Sequence, residues 1–531
     1  MKTINTYIDI MKYSKNMNES EKQFMNIKNN IKDNLKNIIE SWKYQSNKLE
    51  SDKWEKVINA FIIISILILP IMNLKLGLDT DTYFILNSGR FIENNGLYTN
   101  EPFTMHDGLN FIFQQWLTNI YFWFLYSRVG KLGLILVIYV QASVINILAY
   151  KLHNKLFNNR LASFIGILVL SEFVGYYYTT RPQLTTIINV ILVLFVMEKY
   201  ATTNKIKYLL GLIPITILEV NLHSAIWWIL IVFMLPYLFD FIDIKSLGIE
   251  SDKSYRKIPV ACTIIIMILA SFINPYGAEA SFYLFKSLGS EYKNAIQELR
   301  PLSCNSAGFY AFILVIVAIV CISLYNRIKY KNQTIKIRYL YLFIGCTLMY
   351  IKNIRSVVFF GVGVSLYIVY KLCKNKIDKL CILIVTITLI ALSTINILNT
   401  NWCNSYIAAE DVNESDELRD LEKIKNYLLN NNNTGCNLYT DFNTGAYFEF
   451  YGFKCYMDAR MEVMLKSINN KYDYFDEYCE YKDKYKELFS KYDFDYYIIE
   501  INSINYDYIT YDNDYIEELK TDSYALYRRC N

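Results

Sequence analysis

The chain has 531 residues, 53% of them hydrophobic, with 54 Lys/Arg against 50 Asp/Glu and a mean hydropathy of +0.16. Long apolar runs at this composition exclude an ordinary soluble domain. The basic residues are dispersed over short segments between those runs, which excludes a nucleic-acid footprint. The net charge of +4 also hides a division, because residues from 400 onward carry 26 acids and 14 bases.

Segment 19–43 comes first, with Phe24, Ile27, Ile31, Leu35, Ile38 and Trp42 at one-sided helical spacing. It predicts a helix lying on the inner leaflet or pairing with a partner helix. Fifty-odd polar residues precede the first apolar run, so no cleavable signal peptide is expected and that run acts as an uncleaved anchor. Apolar runs of spanning character follow at 57–74, 132–150, 161–176, 184–197, 208–218, 225–241, 258–273, 309–324, 339–350, 357–370 and 380–398. A further run, 111–126, is interrupted by Gln114 and Gln115 and reads as interfacial or re-entrant. The fold class is a polytopic α-helical membrane protein of about 11 spans, or 12 if 111–126 crosses, with a small C-terminal extracytoplasmic α/β domain. Its parts are a cytoplasmic N-terminus 1–54, a membrane domain 55–399 with a first outer loop at 75–112, and the domain 400–531.

Orientation follows from Lys and Arg in short loops. Loops 151–160, 199–207, 243–257, 326–338 and 371–379 are rich in them, and these are every second loop. They belong in the cytoplasm with the Lys-rich N-terminus, which puts 75–112, 176–183, 219–224, 274–307, 351–356 and the tail outside. The expected location is the plasma membrane. In the tail, 418–429 and 482–488 read as helices and 436–439 and 496–499 as strands. The eleven cysteines show neither a CxxC pair nor a metal-type spacing, and five in the tail predict no tidy disulfide framework.

The chemistry-bearing residues sit at span junctions on the outer side. Asp79 and Asp81 open the first outer loop; either caps a helix there, or a carboxylate takes a proton from an acceptor while its neighbour orients it or helps hold a divalent metal. His106 lies in the same loop and His223 at 219–224, and each is structural or substrate-binding. Arg181, in Arg181-Pro182-Gln183, and Arg355 either snorkel to the interface or bind a phosphate through the guanidinium fork. Asn274-Pro275-Tyr276-Gly277 reads as a turn, with Asn274 also a candidate contact, and Glu298 adds a carboxylate farther along that loop.

In this order, these residues resemble the GT-C superfamily of polytopic membrane glycosyltransferases. The segments that carry the resemblance are Asp79-Thr80-Asp81 to Gly89-Arg90, Pro102-Phe103-Thr104, Gln115-Trp116-Leu117, Arg181-Pro182-Gln183, Asn221-Leu222-His223, Asn274-Pro275-Tyr276-Gly277, Glu298, Asp441 with Gly445-Ala446-Tyr447, and Met457-Asp458-Ala459-Arg460. The resemblance implies a sugar donor linked to polyprenyl phosphate, an outer-loop acid as base, and inversion at the anomeric centre. Carried over, Asp81 is the base with Asp79 its alternative, and Arg181, His223 and Arg355 are the contacts to the lipid phosphate. The departure is Ile85, where relatives often carry a polar residue or His. Some branches of the superfamily hold a divalent metal and others do not.

The acceptor implied is a glycan, lipid or protein at the cell surface, and nucleic acid is not a partner. No glycine-rich phosphate loop points to a nucleotide-sugar donor. A transporter or flippase of lipid-linked sugar would place its polar groups near mid-membrane, whereas these lie at span ends. A non-catalytic assembly protein is the remaining alternative.

Overall fold

The computed structural model describes residues 36–37, 52–74, 77–244, 246, 248–287, 299–304, 309, 312–313, 315–317, 319–320, 323–324, 334–373, 416–431, 433, 435–481 and 484–530. The expected span 380–398, almost all of segment 19–43, and Glu298 lie outside them. The chain divides into two compact units, Met1–Ser65 and Ile66–Asn531. Helix α1 (Asp52–Asn73) opens in the first, where Val57, Phe61, Ile63 and Ile64 are exposed, as apolar side chains facing lipid are.

Within the second unit, α2 (Thr80–Asn95) starts because Asp79 caps it. The Asp79 carboxylate accepts from Thr82 N at 2.9 Å and from Thr82 Oγ1 at 2.7 Å. The helix stops at Gly96, whose φ of 81° suits glycine. Its neighbour α3 (Trp116–Val129) approaches so closely at Gly89 that a Cβ there would stand 2.2 Å from the Asn119 carbonyl oxygen.

Helix α3 runs antiparallel to the first half of α4 (Lys131–Phe157): Gln141 Nε2 donates to Tyr121 Oη at 2.8 Å, and Gly133 lies under the Leu125 carbonyl. The second half of α4 runs antiparallel to α5 (Arg160–Val174), with Ser171 Oγ donating to Asn146 Oδ1 at 3.2 Å and His153 against Gly166. The far end of α3 therefore lies at the opposite end of α4 from Phe157. With fourteen residues, α3 is about 21 Å long, short of the roughly 30 Å hydrocarbon core.

The helices α6 (Gln183–Thr203), α7 (Leu212–Leu222), α8 (Ile229–Leu238), α9 (Ile258–Ala270), α10 (Ile337–Lys352) and α11 (Val357–Cys373) complete the described apolar bundle. Gly363 lets α11 touch Cys346 and Leu342 of α10, and Gly361 lets it meet Phe173 of α5. Among the described residues, four helices are long and apolar enough to cross a membrane: Lys56–Asn73, Lys131–Phe157, Gln183–Thr203 and Ile354–Cys373. The expected runs 208–218, 225–241 and 258–273 are helical over shorter stretches; the first begins as a 3₁₀ turn at Ile206–Gly211, and the second has helix only from Ile229.

Arg338 gathers one end of this bundle. Its guanidinium lies 3.2 Å from Glu198, 3.3 Å from Asp240 and 2.7 Å from Asp252, all carboxylates brought in from separate segments. Glu198 just before loop 199–207, Asp252 of loop 243–257 and Arg338 at the end of loop 326–338 thus meet at one end. Gln183 lies about 22 Å away along α6, fifteen residues from Glu198.

The C-terminal residues form a mixed five-stranded sheet of β1 (Asn437–Tyr439), β2 (Lys454–Cys455), β3 (Tyr496–Glu500), β4 (Tyr515–Lys520) and β5 (Tyr524–Arg529), in the order β2-β1-β3-β5-β4. β1 pairs parallel with β2 and β3; β5 is antiparallel to β3 and β4. The expected helix 418–429 is α12 (Asp416–Asn430), and the one expected at 482–488 is found at Tyr485–Lys491. The hairpin β4–β5 was not anticipated. Leu421, Ile424 and Leu428 of α12, with Leu438, Ile498 and Leu526 of the sheet, share a hydrophobic core with Ile85 and Leu86 of α2 and Phe122 of α3. Tyr83 meets Tyr447 and Phe450 edge-on at 4.9 and 5.5 Å, so the sheet region and the first-loop helices pack as one body.

Candidate active site

A cavity of about 640 Å³ lies where the start of α2, the start of α3, the start of α6, the end of α7, the turn before α11 and the C-terminal region meet. Asp81, Arg181, Gln183, His223 and Arg355 all line it. Five residues from four span junctions therefore share one space.

Arg181 bridges the two aspartates. Its Nη2 lies 2.5 Å from Asp81 Oδ2 and 3.1 Å from Asp79 Oδ2, and Nη1 donates to Asp79 Oδ1 at 3.3 Å. The two aspartates do different work. Asp79 is committed to capping α2, while Asp81, in its first turn, faces the cavity. Arg355 sits in a short turn, Ile354–Ser356, where its own backbone amide donates to Asn353 Oδ1 at 2.9 Å.

His223 caps the end of α7 and is buried. Its Nδ1 lies 2.9 Å from Thr186 Oγ1, and Thr186 Oγ1 donates to Glu219 Oε1 at 2.6 Å. The hydroxyl has one proton, so with Glu219 receiving it, the Nδ1 position must be the donor to Thr186. Asn189 Nδ2 donates to the other Glu219 oxygen at 2.6 Å. This His–Thr–Glu relay fixes the ring at the cavity wall.

Two of the expected residues lie elsewhere. His106 is stacked on Tyr474 with ring centroids 3.8 Å apart, and its Nε2 is 2.8 Å from the Tyr456 carbonyl oxygen; burial holds its pKa below the usual histidine value. Asn274 serves the turn that ends α9, donating to Ser271 O and Gly277 O at 2.8 and 2.9 Å and accepting from Tyr276 N. Glu298 lies outside the described residues.

The C-terminal region supplies residues the sequence did not single out for the site. Asn443, Arg460 and Glu462 line the cavity. Burial raises the Glu462 pKa, with the charges of Asp458 and Asp81 adding to the rise and Arg355 opposing it. Arg460 is buried among three carboxylates: it pairs with Asp458, lies 2.8 Å from Glu101 and lies 3.3 Å from Glu449. It thereby ties the segment between α2 and α3, which carries Glu101, to the sheet region. Among the described residues no group of three or more His, Cys, Asp or Glu side chains is arranged to hold a metal ion, and Arg181 fills the position between Asp79 and Asp81.

No family model matches the chain, and no curated protein matches it in sequence. Solved structures do. The Archaeoglobus fulgidus oligosaccharyltransferase tethered to an acceptor peptide superposes with a TM-score of 0.54 at 9% identity, over 86% of this chain and 70% of that one. The oligosaccharyltransferase AglB from the same organism, in complex with an inhibitory peptide and a dolichol-phosphate, gives 0.53 at 11% identity over 84% and 70%. ArnT from Cupriavidus metallidurans, bound to undecaprenyl phosphate, gives 0.48 at 9% over 90% and 98%. At these identities the likeness is one of fold alone: the chain shares the fold of the two Archaeoglobus fulgidus oligosaccharyltransferases, as the resemblance carried by the short motifs implied.

Proposed function

We propose that the protein is a membrane glycosyltransferase that moves a sugar from a polyprenyl-phosphate-linked donor to a glycan, lipid or protein acceptor at the cell surface. The observation that carries this reading is the convergence of Asp81, Arg181, Gln183, His223 and Arg355 on one cavity in a chain of GT-C fold. A lipid phosphate suits the guanidinium forks of Arg181 and Arg355, and an archaeal oligosaccharyltransferase of this fold was captured with a dolichol-phosphate.

In this mechanism the donor phosphate takes over hydrogen bonds from Arg181 and releases the Asp81 carboxylate. Asp81 accepts the proton of the acceptor hydroxyl or amide. The acceptor atom bonds to the anomeric carbon from the face opposite the phosphate, and the carbon–oxygen bond to the phosphate breaks with inversion. Arg355 stabilises the charge on the departing lipid phosphate. Asp79 keeps α2 in place and acts as the base only if Asp81 does not. No step runs through a metal.

The pairing of α3 with the outer half of α4 supports eleven spans with 111–126 at the interface. The Arg338 cluster would then lie at the cytoplasmic end, and the catalytic cavity and the C-terminal domain outside the plasma membrane. Comparing the surface glycans of cells with and without the gene, and with Asp81→Asn in its place, tests the proposal. A glycan lost in both deletion and Asp81→Asn cells, with the variant protein present at normal level, is the expected result; identical glycans in all three would refute it.

A further inference from the structure

We propose that the wall formed by Ser88, Gln115, Asn119 and Gln183 is the subsite for the transferred sugar, and that it selects an uncharged sugar bearing hydroxyl or acylamino groups. The inference rests on the glycosyltransferase reading and adds the chemistry of the transferred group.

Ser88 Oγ, Gln115 Nε2, Asn119 Oδ1 and Gln183 Oε1 have no hydrogen-bond partner in the protein. Their residues are 1%, 6%, 1% and 6% exposed, and all four line the cavity. Buried polar atoms without partners are rare in native proteins; here four belong to residues that line a single cavity. Part of the arrangement is built by the α2–α3 contact. Gly89 brings the helices together beside Asn119, so that Ser88 and Asn119 become neighbours, and Gln115 lies one turn before Asn119.

None of the four ionises. They offer hydroxyl and amide groups, each able to donate and accept, and the amides can turn over to suit a ligand. That is the complement of a polyol or an acylamino group. A sugar carrying a free ammonium would find no carboxylate among the four; the carboxylates of the cavity, Asp81 and Glu462, lie elsewhere on its wall and face the charges of Arg181 and Arg355. Phe84, Phe111 and Phe113 in the same cavity supply apolar surface for the carbon face of a ring.

The position along α2 also fits. Ser88 follows Asp81 by seven residues, two turns on the same face and about 10 Å along the axis. A base-to-acceptor hydrogen bond spans about 3 Å, and a near-attack contact to the anomeric carbon spans about 3 Å more. One sugar ring beyond that point reaches the Ser88–Asn119 pair.

The test uses the full-length protein in nanodiscs with five ligands: undecaprenyl phosphate alone, and undecaprenyl phosphate carrying glucose, mannose, N-acetylglucosamine or glucosamine with a free amine. Dissociation constants are read by native mass spectrometry. At least one neutral sugar lipid binds tenfold or more tighter than the bare lipid phosphate, and the glucosamine lipid gains nothing. Asn119→Leu and Ser88→Ala collapse that ratio toward one. Ser88→Ala melts no lower than the parent, because it removes only a polar atom that the protein leaves unbonded. The subsite is refuted if the bare lipid binds but no neutral sugar adds affinity, or if the free-amine sugar binds tightest. Failure of the bare lipid phosphate to bind would instead overturn the glycosyltransferase reading on which the subsite depends.

Discussion

Replacing Arg460 by methionine removes the guanidinium that three buried carboxylates share. Glu101, Glu449 and Asp458 have side chains that are 0%, 1% and 0% exposed where they meet it. Methionine keeps much of the volume and none of the charge. Breaking a buried pair by deleting one partner costs about 3–5 kcal/mol, because the remaining charge is left without solvent or counterion. Here it falls on the contact between the segment joining α2 to α3 and the sheet region. The penalty is pH-dependent. Burial, with the negative charges of Asp458 and Glu101, already holds the Glu449 pKa far above its unfolded value, so the native state binds the extra proton. Stability from this group therefore rises as pH falls from the raised native pKa toward the unfolded value of about 4.3. Without Arg460 the Glu449 pKa rises further, which widens the pH window over which this dependence acts. Thermal unfolding of the detergent-purified protein, followed by intrinsic fluorescence at pH 8 and pH 5, reads both effects. Arg460→Met should melt well below the parent at pH 8 and recover part of the loss at pH 5, and Arg460→Lys should fall between, since it restores a charge without the fork. Equal melting temperatures for parent and Arg460→Met at pH 8 would refute the clamp.

Gly89→Val places a side chain inside the α2–α3 contact, 2.2 Å from a backbone oxygen, and should destabilise by about 3 kcal/mol; a variant with parental melting would show that the helices can part freely. Asp79→Asn keeps an acceptor for the Thr82 amide and should retain most transfer activity, whereas Asp81→Asn should lose roughly 10²-fold or more in turnover. Because Arg181 remains paired to Asp79 and both sites are partly exposed, the stability change in Asp81→Asn should stay within about 1 kcal/mol. Glu219→Gln disturbs the acceptor of the Thr186 hydroxyl; turnover should fall with little change in donor affinity, and unchanged turnover would reduce the relay to packing. The buried neutral His106 costs stability as pH drops below its unfolded pKa of about 6.5, so the melting difference between parent and His106→Phe should narrow or reverse from pH 7.5 to pH 5.5.

The apolar runs and the charge alternation were legible because they follow from bilayer thickness and loop composition. The start of α2 was legible from Asp79-Thr80-Asp81, though spacing alone could not divide capping from cavity-facing work between the two aspartates. Junction residues posed a harder problem. Arg181, His223 and Arg355 reach the cavity, while Asn274 and His106 are spent on a turn and a ring stack. In sequence all five look alike, since each is a polar residue near the end of an apolar run or in an outer loop. Glu462 and Arg460 lie some 380 residues from Asp81 in the chain, and only the packing of the sheet region against α2 brings them near. Gln114 and Gln115 did leave a signal, as amides interrupting an otherwise apolar stretch.

The most direct test of the account is a transfer assay with the purified protein in liposomes, using undecaprenyl phosphate bearing a radiolabelled neutral sugar and an extract of surface glycans as acceptor. The account predicts that label moves to the acceptor and free undecaprenyl phosphate accumulates, and that Asp81→Asn abolishes both. Label that stays on its lipid while crossing the bilayer, or equal release by parent and Asp81→Asn, would contradict it.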